Sequence, residues 1–225
     1  MKPSDLLLYH GTDKLSGDRI DVRSNIGIGS NDLTLGDGFY TSTSKEVALF
    51  YSHIMARESL FDLGLDPDQA HSGEVHQIVL ANDFRLLKES DKLDVGASIT
   101  VLKQAGISMS NISMLLQREL ASFPAVLDMI NQGGFQSKNS IEFLATQMGY
   151  DGLLVVQKPY LPWRYEPKDI GVNWSKCWNS WKSAPPATIV IYNTDKILST
   201  QLIHDGRQSS VLVGSSPNYD QNNQR

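Results

Sequence analysis

Three short fragments hold the residues best suited to chemistry: Leu8-Tyr9-His10-Gly11-Thr12, Gly38-Phe39-Tyr40 with a further Tyr51, and Ile189-Val190-Ile191-Tyr192-Asn193. His10 ends an apolar run and carries a ring that can donate or accept a hydrogen bond. Gly11 beside it lets another group approach the backbone where a Cβ would stand in the way. Tyr40 and Tyr51 lie eleven residues apart and supply aromatic faces, which attract flat cations. A fourth region, 157–186, holds all four tryptophans, Trp163, Trp174, Trp178 and Trp181, with Arg164, Lys158, Lys168, Lys176 and Lys182 against Glu166 and Asp169 as its only acids. Rings interleaved with cations suit a single-stranded nucleic acid, where stacking contributes roughly 1–3 kcal/mol per base and Lys and Arg neutralise phosphate. The same composition suits a protein target gripped by aromatic and Arg anchors. It also suits tryptophans that fold inward to pin a long insertion.

The elements that must position these residues follow from local pattern. Leu6-Leu7-Leu8-Tyr9 predicts a strand that places His10 at its end. Residues 11–38 are rich in Gly, Asp, Ser and Asn and predict an irregular loop, the kind of segment on which function often lies. Phe39-Tyr40-Thr41 predicts a second strand, and Ser42-Thr43-Ser44 supplies an N-cap for a helix over about 45–58, with Val47, Phe50 and Tyr51 on one face. Glu74–Leu80 predicts a central strand. Helical spacing from about 94 to 148 predicts three or so helices, the last capped by Gly149-Tyr150-Asp151-Gly152 before a buried strand at Leu153–Val156. Thr188–Tyr192 predicts the next strand, after which Asp195-Lys196-Ile197 turns away. Beyond 209 the Ser, Gly, Pro, Asn and Gln content predicts a short strand at Val211-Leu212-Val213 and then a disordered tail. This order of strands and helices predicts an α+β fold.

Composition limits the options. At 225 residues, 40% apolar and 20% charged, the chain matches one globular domain over about 1–208 with a core that needs no staples. The formal net charge of −5 supplies no global field for polyanions, so any nucleic-acid contact must come from a local patch. Cys177, the only cysteine, cannot form an internal disulfide, and no Cys/His spacing matches a zinc site, so no metal is expected. Leu6-Leu7-Leu8 is too short for a signal-peptide core and no run approaches about 18 apolar residues. The expectation is a cytoplasmic protein, of the producer or of a target cell, with no membrane partner.

The order and spacing of the fragments resemble the NAD-consuming ADP-ribosyltransferases, in the branch named for its His, Tyr and Glu residues that includes the poly(ADP-ribose) polymerase catalytic domain and bacterial toxins. His10-Gly11 resembles the end of that family's first strand, Gly38-Phe39-Tyr40 its Gly-x-Tyr motif, and Tyr51 the tyrosine eleven residues further on. Gly149-Tyr150-Asp151-Gly152 and Val190–Ile197 are similar to its last two strand motifs, so the resemblance covers roughly 6–198. It implies a split mixed β-sheet core, with the helical segment 94–148 and a target-recognition segment 157–186 as insertions. It implies NAD as co-substrate, with His10 on the ribose, Gly11 at the carboxamide, Thr12 as a further NAD-binding residue, and Tyr40 and Tyr51 on the two faces of the nicotinamide. Trp163, Arg164, Trp174, Trp178 and Trp181 fall where such proteins recognise their targets.

Two positions depart from the pattern. Thr188 stands where the family's catalytic glutamate belongs, and threonine cannot accept a proton at neutral pH. Ala48 stands where the polymerases place a serine against the carboxamide. The first departure implies transfer of single ADP-ribose units, by a dissociative step through an oxocarbenium-like centre in which positioning and charge stabilisation dominate. A general base, if one acts, would come from Glu142, Glu166 or Asp169 in flanking segments, against the commoner solvated or capping role of such groups. The expectation is a mono-ADP-ribosyltransferase toxin or effector acting on RNA or single-stranded DNA, with a protein acceptor as the alternative and an antitoxin or immunity protein as a partner. An inactive NAD- or nucleotide-binding module is the further alternative. An NAD hydrolase is another, and a 2′-phosphate-removing enzyme ranks last for want of its basic residues.

Overall fold

The computed structural model describes residues 5–13, 35, 38–71, 73–88, 90–112, 120–132, 140–156 and 172–206. The segments 14–34, 157–171 and 207–225 lie outside them, and with them Trp163, Arg164, Glu166, Asp169 and the strand expected at 211–213.

The architecture is mixed α and β. A seven-stranded sheet runs in the order β4-β7-β8-β2-β1-β3-β9, and a separate pair joins β5 and β6. The strands are β1 Leu8–Thr12, β2 Phe39–Ser42, β3 Glu74–Leu80, β4 Leu86–Lys88, β5 Lys92–Asp94, β6 Leu120–Ser122, β7 Gly152–Val156, β8 Ala187–Ile191 and β9 Ile197–Asp205. The helices are α1 Lys45–Asp62, α2 Val95–Gln104, α3 Met109–Ile112, α4 Phe123–Gln132, α5 Ser140–Gln147 and α6 Val172–Ser183. Every pairing in the large sheet is antiparallel except β4 with β7.

The sheet is weakest at its middle. β1 pairs with β3 along its whole length, from Leu8 opposite Ile78 to Thr12 opposite Glu74. With β2 it shares one register pair, Tyr9 opposite Ser42. One half of the sheet is therefore β4-β7-β8-β2 and the other is β1-β3-β9. Leu8, Ile78 and Leu80 from the second half pack with Phe39, Ile189 and Ile191 from the first in one apolar cluster. Alternation along the strands sends Tyr40, Val190, Leu153 and Val155 to the opposite face, where Val101, Leu102, Val126, Ile130 and Leu144 of α2, α4 and α5 cover them.

Local chemistry explains the boundaries. The Ser44 hydroxyl accepts a hydrogen bond from the Val47 N–H at 3.3 Å, which starts α1 as the cap signal predicts. The helix continues past the expected 58 to Asp62. α5 ends at Gly149, whose φ of 75° provides the left-handed turn that the cap requires. Asp151 then fixes the exit: its carboxylate accepts from the Arg85 N–H at 2.8 Å and the Asn193 side-chain amide at 2.8 Å, and its carbonyl from the Tyr192 N–H at 2.8 Å. Five strands differ from expectation: β4 and β5 lie where no strand is expected, and β6, Leu120–Ser122, interrupts the segment 94–148 expected to be helical because it pairs with β5. β1 extends through Gly11 and Thr12, so His10 is central in its strand, because β3 offers a partner along that length. After the turn at Thr194–Lys196 the chain forms β9, an edge strand whose exposed, mostly polar middle gave no apolar pattern to read.

α1 lies directly on β1. A Cβ at Gly11 would stand 1.7 Å from the Ala48 carbonyl oxygen and 2.9 Å from the Ser52 nitrogen, both backbone atoms of α1. The glycine is thus also the contact that lets helix and strand approach. Gly11→Ala is expected to destabilise the fold by about 3 kcal/mol, the upper end for overpacking, since backbone cannot yield as a side chain does. Urea unfolding of the purified variant measures this.

Candidate functional site

His10 occupies the place where β1 and β2 part. Its Nδ1 lies 2.8 Å from the Tyr40 carbonyl oxygen, so Nδ1 carries the proton and donates to the carbonyl. Its ring rests on Phe39 with centroids 4.1 Å apart. The side chain is buried, and its other nitrogen, Nε2, has no hydrogen-bond partner among the described residues. A lone pair is thus held in a fixed direction without a donor, where burial makes an unmet polar atom costly. Burial lowers the His10 pKa from 6.5 to about 4, outweighing the Tyr40 carbonyl, which raises it, with His76 nearby adding to the drop. At neutral pH the ring is an uncharged hydrogen-bond acceptor.

A polar row surrounds it. Facing positions in the antiparallel pair put His76 opposite His10 and Glu74 opposite Thr12, all on the face of Phe39. The His76 Nε2 and a Glu74 carboxylate oxygen are 2.9 Å apart. Thr12, Glu74 and His76 are as buried as His10. Neither Glu74 nor His76 stood among the expected site residues. The signal available for them was a Glu and a His two residues apart in an otherwise apolar strand, sharing one face with Ile78 and Leu80.

Tyr40 lies on the opposite face. Ser42 faces Tyr9 across the β1–β2 pair, and Tyr40 shares its side of β2. A Gly11 Cβ would point to that same side, where α1 sits, and Tyr51 of α1 packs against Phe50 and the cluster it forms with Trp178 and Trp181. The strand gap therefore has Gly11 at its edge, Tyr40 on one face, and His10 with Thr12 on the other. Tyr40 and Tyr51 are both half-buried.

Thr188 sits on β8 opposite Ser42 and Val155, half-buried and on the Tyr40 face. Strand alternation separates its hydroxyl from the His10 ring. Glu142, on α5, lies close enough to Tyr192 to act on it electrostatically, as does Tyr40. Burial, then these two neighbours, push the Tyr192 phenol well above its usual range, and its hydroxyl donates to the Leu35 carbonyl at 2.6 Å. Tyr192 is held protonated and braces Leu35 ahead of β2.

The tryptophan patch needs correction where it is described. Trp178 and Trp181 are 8% and 6% exposed and pack with Val47, Phe50 and Ile54 of α1. Their rings lie 5.7 and 5.4 Å from the Phe50 ring, centroid to centroid. They are three residues apart on α6, so one helical face buries both, and neither ring is available as a stacking platform. The side chain of Trp174 lies outside the described residues, as do Trp163 and Arg164. Among the described residues no group of three or more His, Cys, Asp or Glu side chains could hold a metal ion, and no helix is long and apolar enough to cross a membrane.

Trp181→Ala is expected to cost about 3–5 kcal/mol of unfolding free energy, the range for removing a buried aromatic, and chemical denaturation reads it directly. His10 also sets a pH dependence. Its folded pKa lies below the unfolded 6.5, so between about pH 6.5 and 4 the unfolded chain binds the extra proton and stability falls as the pH falls. The loss attributable to His10 is roughly 3 kcal/mol across that window and absent above it. Denaturation midpoints measured from pH 7.5 to 4 are expected to fall less steeply for His10→Gln than for the native chain. Compared with protein-family models, curated proteins and solved structures, the chain finds no match.

Proposed function

We propose that the chain is an NAD-dependent mono-ADP-ribosyltransferase whose nicotinamide-ribose subsite is the gap between β1 and β2. The observation that carries this reading is the buried Nε2 of His10, an uncharged acceptor with no partner among the described residues, fixed by the Tyr40 carbonyl at 2.8 Å. A sugar hydroxyl is the donor such an atom lacks. A neutral ring suits the task, since an imidazolium would offer no lone pair and would repel a cationic nicotinamide. The aromatic side chains of Tyr40, on β2 at the gap, and of Tyr51, on the helix that covers Gly11, support it, since aromatic faces favour a flat cation.

In this reading binding holds the ribose between His10 and the tyrosine side. The C1′–nitrogen bond breaks, its electron pair neutralises the nicotinamide ring, and an acceptor captures the oxocarbenium-like carbon. Thr188 supplies no carboxylate to position a second ribose, so transfer stops at one unit. The acceptor is a macromolecule. RNA or single-stranded DNA remains the first choice, now resting on Trp163, Arg164 and the neighbouring lysines, since Trp178 and Trp181 belong to the core. A protein acceptor is the alternative, and an inactive NAD-binding module a further one. An antitoxin or immunity protein would be the partner of a toxin of this type.

Incubation with NAD labelled in its adenylate part, in the presence of RNA, single-stranded DNA or lysate protein, tests the reading. Single labelled units on one of these pools are expected, and His10→Ala is expected to reduce labelling at least about 100-fold, as for loss of a group that holds the reacting centre. Sensitivity of the label to ribonuclease, deoxyribonuclease or protease assigns the acceptor. Intact NAD and no label overturn transferase activity.

A further inference from the structure

The proposed reaction leaves one proton without a destination. As an acceptor hydroxyl or amine joins C1′ it must lose its proton, and the Thr188 hydroxyl cannot take it at neutral pH. His10 cannot take it either: a ring whose conjugate acid loses its proton near pH 4 is too weak a base, and its buried position already selects the neutral form.

The geometry points to Glu74 and His76 as the pair that does: we propose that His76 is the general base of the transfer and Glu74 the carboxylate that orients it. This rests on the ADP-ribosyl transfer reading above. Register carries much of the argument. His76 is directly opposite His10 on the neighbouring strand and on the same face. Residues so paired have Cβ atoms about 5 Å apart, so a group held at the His10 Nε2 is within reach of the His76 ring. The Glu74 contact at 2.9 Å fixes the tautomer, because a carboxylate accepts and the His76 Nε2 must donate. That leaves Nδ1 as the nitrogen with a lone pair. The carboxylate then stabilises the imidazolium as it forms, the role a carboxylate plays beside a catalytic histidine elsewhere.

Burial separates this pair from Glu142. Glu74 and His76 are 7% and 6% exposed, so their mutual contact is little weakened by solvent. Glu142 stands half-buried on α5 beside Tyr40 and Tyr192, on the face away from the His10 ring. The balance closes without an added reagent. The C1′–nitrogen bond breaks with its electrons going to nicotinamide, the acceptor lone pair forms the new bond to C1′, and the acceptor proton passes to the His76 Nδ1 and then to water. His76 is the catalytic residue and Glu74 a positioning residue.

The test compares steady-state nicotinamide release and label transfer by the full chain with those of His76→Ala, His76→Asn and Glu74→Gln, alongside NAD affinity by calorimetry and thermal melts. Glu74→Gln keeps the size and one acceptor oxygen of the native residue while removing the charge and turning the other oxygen into an NH2 donor, so it serves if the His76 variants do not fold. The expected result is a fall in kcat of roughly 100-fold or more for His76→Asn, with NAD affinity and KM within a few-fold of the native protein. Glu74→Gln falls less, and added imidazole partly restores His76→Ala but not His10→Ala. Folded variants that keep native kcat overturn the pair while leaving the transferase reading in place. Folded variants that lose NAD affinity and turnover together overturn it too, since that pattern marks a structural role. A native protein that does not cleave NAD overturns both.

Discussion

The hydrogen bond from the His10 ring to the Tyr40 carbonyl does the work that backbone pairing leaves undone. β1 and β2 are neighbours in a seven-stranded sheet yet share one register pair, so a side chain spans the point where the strands part. A ring used in this way has two constraints. It must be uncharged to be buried at reasonable cost, and one nitrogen is committed to the carbonyl. The second nitrogen is then left with a lone pair and a fixed direction. A structural requirement of the sheet thus produces a preorganised acceptor, which is what a binding site for a sugar hydroxyl needs.

The rest of the molecule holds that gap at a set width. α1 presses its backbone onto Gly11 from one side, and the Trp178, Trp181 and Phe50 rings fasten α6 to the far side of α1. Asp151 ties the approach to β4 to the exit of β8 through hydrogen bonds with Arg85, Tyr192 and Asn193, within the half-sheet that carries Tyr40. Between them, polar groups concentrate on one face: His10 and Thr12 on β1, Glu74 and His76 on β3. Such a cluster costs stability unless its members satisfy one another or a ligand, and the His10 Nε2 has no partner among the described residues.

Much of the fold was legible because its elements obey strong local rules. Glu74–Leu80 alternates and is a strand with those bounds; Ser44 is a cap and starts a helix; Gly149 ends one. What could not be read is equally physical. The His10 bond joins a side chain to a carbonyl thirty residues away, which no local pattern encodes. β9 exists because β3 offers an edge, and its own exposed residues carry little strand signal. The tryptophans of α6 misled because cations surround them in sequence, although the three-residue interval between Trp178 and Trp181 already put both on one face. Glu74 and His76 were visible as polar residues within an apolar strand, but only the register with β1 sets them beside His10.

The central claim is that His10 is a neutral ring whose Nε2 lone pair awaits a hydroxyl donor, and nitrogen NMR of the ¹⁵N-histidine-labelled chain reads that atom directly, with His10→Gln assigning the resonance. At pH 7 the account predicts a protonated Nδ1 and an unprotonated Nε2 whose signal moves toward the hydrogen-bonded range when NAD is added. A ring protonated on both nitrogens at that pH, or an Nε2 signal unmoved by saturating NAD, would contradict it.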